Sequence, residues 1–180
     1  MELVVLMIKL RELKGNDAAY MLEWMHDASI QKCFKKKMKE YTLEDAKYFC
    51  INSKIPKMIT DGIDIHYAIA NEDDEYLGTI SLKNIDLESK SAEYAIVMRK
   101  KAQGHGNAYM ASMILLKKAF SEYGLHRVYL NVLENNKKAI NMYEKIGFNY
   151  EGEFRDHIKK GGEYLNLKWY GMISGECNSR

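Results

Sequence analysis

The spacing of apolar and polar residues cuts the chain into short elements joined by polar or glycine-bearing turns. Residues 3–10 form an apolar run that predicts a first strand, and Gly15-Asn16-Asp17 breaks it. Asp17 is placed to cap a helix over residues 18–25, with Met21, Leu22 and Trp24 in it. Thr42-Leu43-Glu44-Asp45 marks a second helix start, close to a capping box. That helix should turn Leu43, Ala46, Phe49 and Cys50 inward and stop before Pro56, the single proline. Residues 66–70, 76–85 and 92–98 predict three strands on short polar turns, hence an antiparallel meander. Gly78, inside the second of them, predicts a bulge or a close backbone approach. Residues 109–120 predict a helix that is apolar around most of its circumference, closed by Gly124. A strand at 128–133 follows, then a helix over 137–146 with Asn136 as cap and Gly147 as terminator. A hairpin of 150–158 and 163–173 around Lys159-Lys160-Gly161-Gly162 completes the chain. The order β-α-α-β-β-β-α-β-α-β-β describes an α+β sheet covered by helices.

Length and composition narrow the class. The 180 residues fit one domain spanning the whole chain, with a flexible tail at its last few residues. A hydrophobic fraction of 47% with 29% charged residues implies a packed core rather than disorder. A net charge of +2 gives no global argument for nucleic acid. No apolar run approaches the roughly 20 residues of a membrane span. The early apolar stretch has neither the basic leader nor the cleavage site of a signal peptide. Cys33, Cys50 and Cys177 lack metal spacing, and His26, His66, His105, His126 and His157 are scattered, so no metal is expected. A reducing cytoplasm is the expected compartment.

The chemistry concentrates at Lys101-Ala102-Gln103-Gly104-His105-Gly106-Asn107-Ala108, between a buried strand and a helix. Two glycines one residue apart let the backbone approach a ligand, and the helix start offers unpaired N–H groups with partial positive charge. That arrangement can hold a phosphate, and Arg99, Lys100 and Lys101 add charge beside it. A plain turn into a helix would look the same locally. It is neither a dinucleotide fingerprint nor a Walker loop, since the third glycine and the Gly-Lys-Ser/Thr are missing. Five lysines between 32 and 39 read either as solvated surface or as a patch that attracts an anionic substrate.

Residues 128–152 read VYLNVLENNKKAINMYEKIGFNYEG. This resembles the acetyl-CoA-binding signature of the GNAT family of N-acetyltransferases, carried by Asn136, Ala139, Tyr143, Gly147 and Phe148. The glycine turn resembles the same family's Arg/Gln-x-x-Gly-x-Gly/Ala loop through Lys101, Gly104 and Gly106. Lys101 stands where arginine is usual, which keeps the charge and loses the bidentate fork. The Trp24 region and the tail from Gly162 to Tyr170 look most like the branch acting on ribosomal-protein N-termini, polyamines and amino sugars. Asn166 stands where that branch often has an aspartate.

The resemblance implies a mixed, mostly antiparallel central sheet with helices on both faces. It implies acetyl-CoA as cosubstrate, held by Val97, Met98, Lys101, Gln103, Gly104, His105, Gly106, Asn107, Ala108, Asn131, Asn136, Ala139 and Tyr143. The pantetheine arm would lie where the strand ending at Met98 parts from the strand at 128–133, with a backbone N–H near Met98 as oxyanion donor. Tyr143 is the candidate general acid, since a phenol with a pKa of about 10 stays protonated at neutral pH. Glu93 is the candidate base: a carboxylate in an otherwise apolar strand, which burial would make more basic. A strand-edge Glu facing solvent is the equal alternative, and Glu134 and His66 are further candidates. The expected activity is direct transfer of acetyl to a primary amine in a ternary complex. The acceptor would be a nucleotide-linked amino sugar or a protein or peptide N-terminus. Alternatives are a polyamine acetyltransferase, which lysines facing the cleft would disfavour, and a non-catalytic acyl-CoA-binding or regulatory module. A nucleic-acid-binding domain lacks the stacking aromatics it would need. The expected partners are acetyl-CoA and an amine, with no nucleic acid and no membrane; a homodimer is left open.

Overall fold

The structure is a computed structural model that describes residues 8–35 and 38–177. Its centre is a seven-stranded sheet in the order β1-β2-β3-β4-β5-β7-β6. The strands are β1 (Lys9–Arg11), β2 (Ile65–Ala70), β3 (Tyr76–Asp86), β4 (Ser91–Met98), β5 (Arg127–Leu133), β6 (Asn149–Lys160) and β7 (Glu163–Ile173). Every pairing is antiparallel except β4 with β5. The expected meander is β2-β3-β4, and the expected mixed sheet is present. Residues 3–7 of the first expected strand lie outside the described residues.

Side chains alternate across a strand, and β4 shows which helices cover which face. Tyr94 and Met98 join the core cluster that contains α4 (Asn107–Lys117) and α5 (Lys137–Ile146). Val97 joins the other cluster, with α1 (Asp17–His26) and α3 (Leu43–Asn52). A short helix α2 (Ala28–Gln31), unforeseen in the sequence, follows α1; Asp27 caps it by accepting from the N–H groups of Ser29 and Ile30. A one-turn helix α6 (Ser174–Cys177) ends the described chain.

Local chemistry explains most element boundaries. Thr42 and Asp45 form the expected capping box of α3. Asn136 accepts from Ala139 N at the start of α5, and Gly147 ends that helix at φ 114°. Asp17 does not cap α1 as its position suggested. It is the first helical residue, and its carboxylate is taken by Arg11 at 2.7 and 2.9 Å and by Lys14 N at 2.8 Å. Leu43 is not inward either: it is exposed at the first position of α3, while Ala46 and Cys50 are buried. The helix α4 starts two residues before its expected place and runs into a π turn, Lys118–Glu122, before Gly124 reverses the chain at φ 64°.

Gly78 satisfies both readings made of it. The β2–β3 register slips beside it, and a Cβ there would stand 2.3 Å from the Val97 carbonyl oxygen. Its missing side chain lets β3 close on the end of β4, the strand that carries the site. No helix among the described residues is long and apolar enough to cross a membrane.

Candidate active site

β4 and β5 pair only over Ser91, Ala92 and Glu93. Beyond Glu93 they part, and a cleft of about 540 Å³ opens between them, lined by β4 from Glu93 to Val97 and β5 from Asn131 to Leu133. Arg99 donates its backbone N–H to Leu77 O at 2.8 Å. Backbone bonds alternate along an antiparallel pair, so Glu93, Ala95 and Val97 direct theirs to β3. Tyr94, Ile96 and Met98 therefore direct theirs into the gap. Gln103 Nε2 takes the Met98 carbonyl at 3.2 Å, which leaves the Met98 N–H facing the cleft.

The glycine turn lies at the same end of β4. Gly104 and Gly106 have φ of 87° and 80°, and nothing lies within 4 Å of where either Cβ would be. Among the described residues no side chain caps the start of α4, which leaves its first N–H groups available to an anion. These features fit a pyrophosphate. The side chains contribute less than the sequence suggested. Asn107 is buried with its Nδ2 on Ala102 O, so it offers the turn its backbone alone. Gln103 is held between Met98 O and Lys138 Nζ. His105 is exposed and Ala108 is half-buried.

The basic residues need correction. Arg99 is no phosphate ligand. It is buried, with its guanidinium on both oxygens of Glu23 at 2.8 Å, on Glu75 at 2.9 Å and on Tyr76 O, and the Tyr20 ring lies 4.3 Å away. A buried charge has to be paired this way, and the pairing ties α1 to the β2–β3 turn and the end of β4. Lys101 is drawn to the same Glu75. Of the described lysines between 32 and 39, Lys35 alone lines the cleft, and its ammonium donates to Asn131 Oδ1 at 2.7 Å. Among the described residues the run thus gives the cleft Lys35, which is held by Asn131, and Lys36 and Lys37 lie outside the described residues.

Tyr143, on α5, reaches the cleft from the other face of the sheet. Its ring packs edge-on against Tyr94 and Phe148. Burial raises its pKa well above that of a free phenol, so it is a protonated donor. Among the described residues its hydroxyl has no hydrogen-bond partner. Ala139, one turn earlier, is half-buried beneath the Asn136 cap.

Glu93 sits at the fork, where the strands divide. It is not surrounded by apolar groups as expected: Asn131 and Asn84 amides donate to its two oxygens at 3.0 and 2.9 Å, and Lys83 lies 3.9 Å away. Asn131 is thus engaged with Lys35 and Glu93 on the face opposite Tyr143. Glu134 is committed to Asn166 N at 2.8 Å, and Asn166 braces a bulge in β6 through Asp156 N and Glu153. His66 lines the cleft with Nδ1 2.7 Å from Ser81 Oγ and Nε2 3.9 Å from Asp64. Burial lowers its pKa more than Asp64 raises it.

Sequence reasoning missed Asp45 and Asp64 as cleft residues. The Asp64-x-His66 spacing would put both on one face of a strand, which was an available signal. Asp45 was read only as a cap, since nothing local places the start of α3 over the sheet.

Two parallel strands parted beside a glycine turn that opens a helix offer room for a long thioester, which is the architecture of an acyl-CoA transferase. Residues 8–149 match the family model described as "Acetyltransferase (GNAT) domain". The chain belongs to the GNAT acetyltransferase family and is an acetyl-CoA-dependent N-acetyltransferase. Spermidine N(1)-acetyltransferase of Escherichia coli (strain K12) is 28% identical over 159 residues, covering 88% of this chain and 82% of its own. The putative ribosomal N-acetyltransferase YdaF of Bacillus subtilis (strain 168) is 33% identical over 104 residues, covering 58% of this chain and 57% of its own. The structure of spermidine N-acetyltransferase from Vibrio cholerae in complex with CoA and spermine superposes with a TM-score of 0.80 at 21% identity, covering 94% of this chain and 97% of that one. That likeness is one of fold.

Proposed function

We propose that this enzyme acetylates a primary amine of a cationic, aliphatic acceptor of the polyamine class. The observation that carries the reading is the acceptor side of the cleft, where Asp45, Asp64 and Glu93 stand with Trp24, Phe34, Tyr41 and Phe49. The two lysines of the same lining are engaged, Lys35 with Asn131 and Lys83 beside Glu93, so the carboxylates on this apolar wall suit an alkyl chain bearing ammonium groups more than a nucleotide-linked amino sugar. The polyamine acetyltransferase among the relatives covers most of both chains, which supports the same reading.

In this reading the turn from Gly104 to Asn107 and the first N–H groups of α4 hold the pyrophosphate. The pantetheine lies in the gap beside Ile96 and Met98, near Asn136 and Ala139. When bound, acetyl-CoA supplies the thioester. The Met98 N–H donates to the carbonyl oxygen as charge develops on it. Glu93 receives the amine proton through water, so that the nitrogen attacks as the free base. Tyr143 gives its phenolic proton to the departing sulfur.

The test is an acceptor screen with acetyl-CoA, reading thiol release against spermidine, an α-amino peptide and a nucleotide-linked amino sugar. Spermidine is expected to give the highest kcat/KM. Turnover confined to the anionic sugar overturns the proposal. Turnover confined to the peptide transfers the site to protein N-termini.

A further inference from the structure

On the acceptor side of the cleft, Cys33, Phe34, Lys35 and Met38 line the cavity, and the first three belong to a wall that runs over residues 31–35. Locally this wall is held by a short helix and by the Gln31 side chain, whose Oε1 accepts from Met38 N at 3.1 Å. The helix α2 before it has four residues, too few to be stable alone. Cys33 N and Phe34 N continue with single bonds to Ile30 O and Gln31 O. Carbonyls at such a helix end have no donor within it. One side chain from the far end of the sequence supplies them. Lys160 Nζ donates to Gln31 O at 2.7 Å, to Lys32 O at 3.0 Å and to Phe34 O. An ammonium has three protons to donate, and all three are used.

The hairpin fixes where Lys160 stands. It is the last residue of β6 and pairs with Glu163 across Gly161 and Gly162. Both glycines have positive φ, 60° and 91°, the requirement of the tight two-residue turn that sets hairpin register. Lys160 is not among the residues that line the cleft. What it holds does line it. Phe34 stacks on Trp24 with ring centroids 5.6 Å apart. Lys35 reaches Asn131, whose amide in turn holds Glu93.

We infer that Lys160 is a positioning residue for the acceptor: from the tip of the last hairpin it locks the wall at 31–35 in the shape that receives the amine. The inference rests on the reading that this face of the cleft is the acceptor side. Burial lowers the Lys160 pKa, the mark of an ammonium that has exchanged water for carbonyls. If removing the lock leaves the closed wall populated about one-tenth of the time, the acceptor's apparent affinity falls about tenfold, since it scales with the competent fraction. Acetyl-CoA affinity should not change, because Lys160 spends its three donors on Gln31, Lys32 and Phe34 rather than on the turn at Gly104 or the start of α4.

The experiment compares Lys160→Met, which keeps the aliphatic stem, with Lys160→Arg, which keeps charge and donors. Hydrogen exchange of the amides at 31–35, KM for spermidine and the dissociation constant of acetyl-CoA are measured on each. In Lys160→Met we expect exchange at 31–35 to rise about tenfold or more, KM to rise about tenfold, and both kcat and acetyl-CoA binding to hold. Lys160→Arg should recover most of the loss. Unchanged exchange at 31–35 overturns the lock. Faster exchange with unchanged KM overturns the positioning role. If the wild type does not turn over spermidine, the polyamine reading alone has failed. The exchange result still decides the lock, and KM is then read on the amine that the acceptor screen returns.

Discussion

Two residues carry the sharpest tests, Tyr143 for the chemistry and Gly106 for the grip. Tyr143→Phe keeps the ring that packs on Tyr94 and Phe148 and removes one proton donor. We expect kcat to fall by about 10²- to 10⁴-fold, the usual contribution of general acid catalysis, with acetyl-CoA affinity retained. A near wild-type kcat, measured with chemistry rate-limiting, would leave Tyr143 as core. At the turn, a side chain at Gly106 would enter the space where the phosphates meet the backbone, and its φ of 80° is one that a β-branched residue resists. Lys101 is engaged with Glu75 and more than half exposed, so its charge is largely screened. Gly106→Val should therefore weaken acetyl-CoA binding far more than Lys101→Ala. Calorimetric titration of both folded variants checks the order, and equal losses would refute a backbone grip. The role expected of Arg99 failed at this scale. A basic residue beside a glycine turn looks like a phosphate ligand until Glu23, some 76 positions earlier, is seen to bury it.

At the scale of elements, helix caps were legible and packing partners were not. Asn136, Thr42 and Gly147 act on backbone within four residues of themselves, so their roles survive any tertiary arrangement. Replacing Asn136 by Ala should cost about 1 kcal/mol, read by urea unfolding, and should loosen the helix that presents Tyr143. Asp17 followed the same local rule and was diverted, because Arg11 offers its carboxylate a stronger, charge-assisted partner than a helix N–H. Gly78 makes a different kind of prediction. Its Cβ position falls on the Val97 carbonyl, so even Gly78→Ala must push β3 from β4. We expect a loss of about 1–3 kcal/mol, the range for overpacking, together with weaker acetyl-CoA binding as the end of β4 shifts. Stability and binding both unchanged would show that β4 can move freely.

For the whole molecule, ligand binding and pH report on the same cleft. Acetyl-CoA at 100 times its dissociation constant should stabilise the fold by about 2.7 kcal/mol, and a thermal scan without any shift would contradict the site. His66 gives the pH dependence. Its pKa in the fold is depressed from 6.5 by burial, with Lys83 lowering and Asp64 raising it. The unfolded chain then binds more protons just below that value, so stability is complete above about pH 6.5 and is lost as pH falls through the depressed folded pKa. The unfolding midpoint in urea should drop between about pH 7.5 and about pH 5.5, and His66→Gln should flatten part of that drop. An identical slope in the variant would place the transition elsewhere.

The sequence by itself determined the elements, the meander, the glycine turn and the Asn136-to-Phe148 helix motif. These depend on periodicity, capping and backbone freedom, which act within a few residues. The parting of β4 from β5 entered through family resemblance, and the structure locates it beyond Glu93. Tertiary structure decided which charges are free and which are spent. Arg99 and Lys101 are drawn to acids from α1 and the β2–β3 turn, Glu93 is ringed by amides rather than apolar groups, and Asp45 and Asp64 come to line the cleft. It also brought Lys160 to the carbonyls of Gln31, Lys32 and Phe34. Electrostatic partners are chosen by distance in space, and the separations here, from 9 positions across a hairpin to 129 along the chain, follow no local pattern from which to read them.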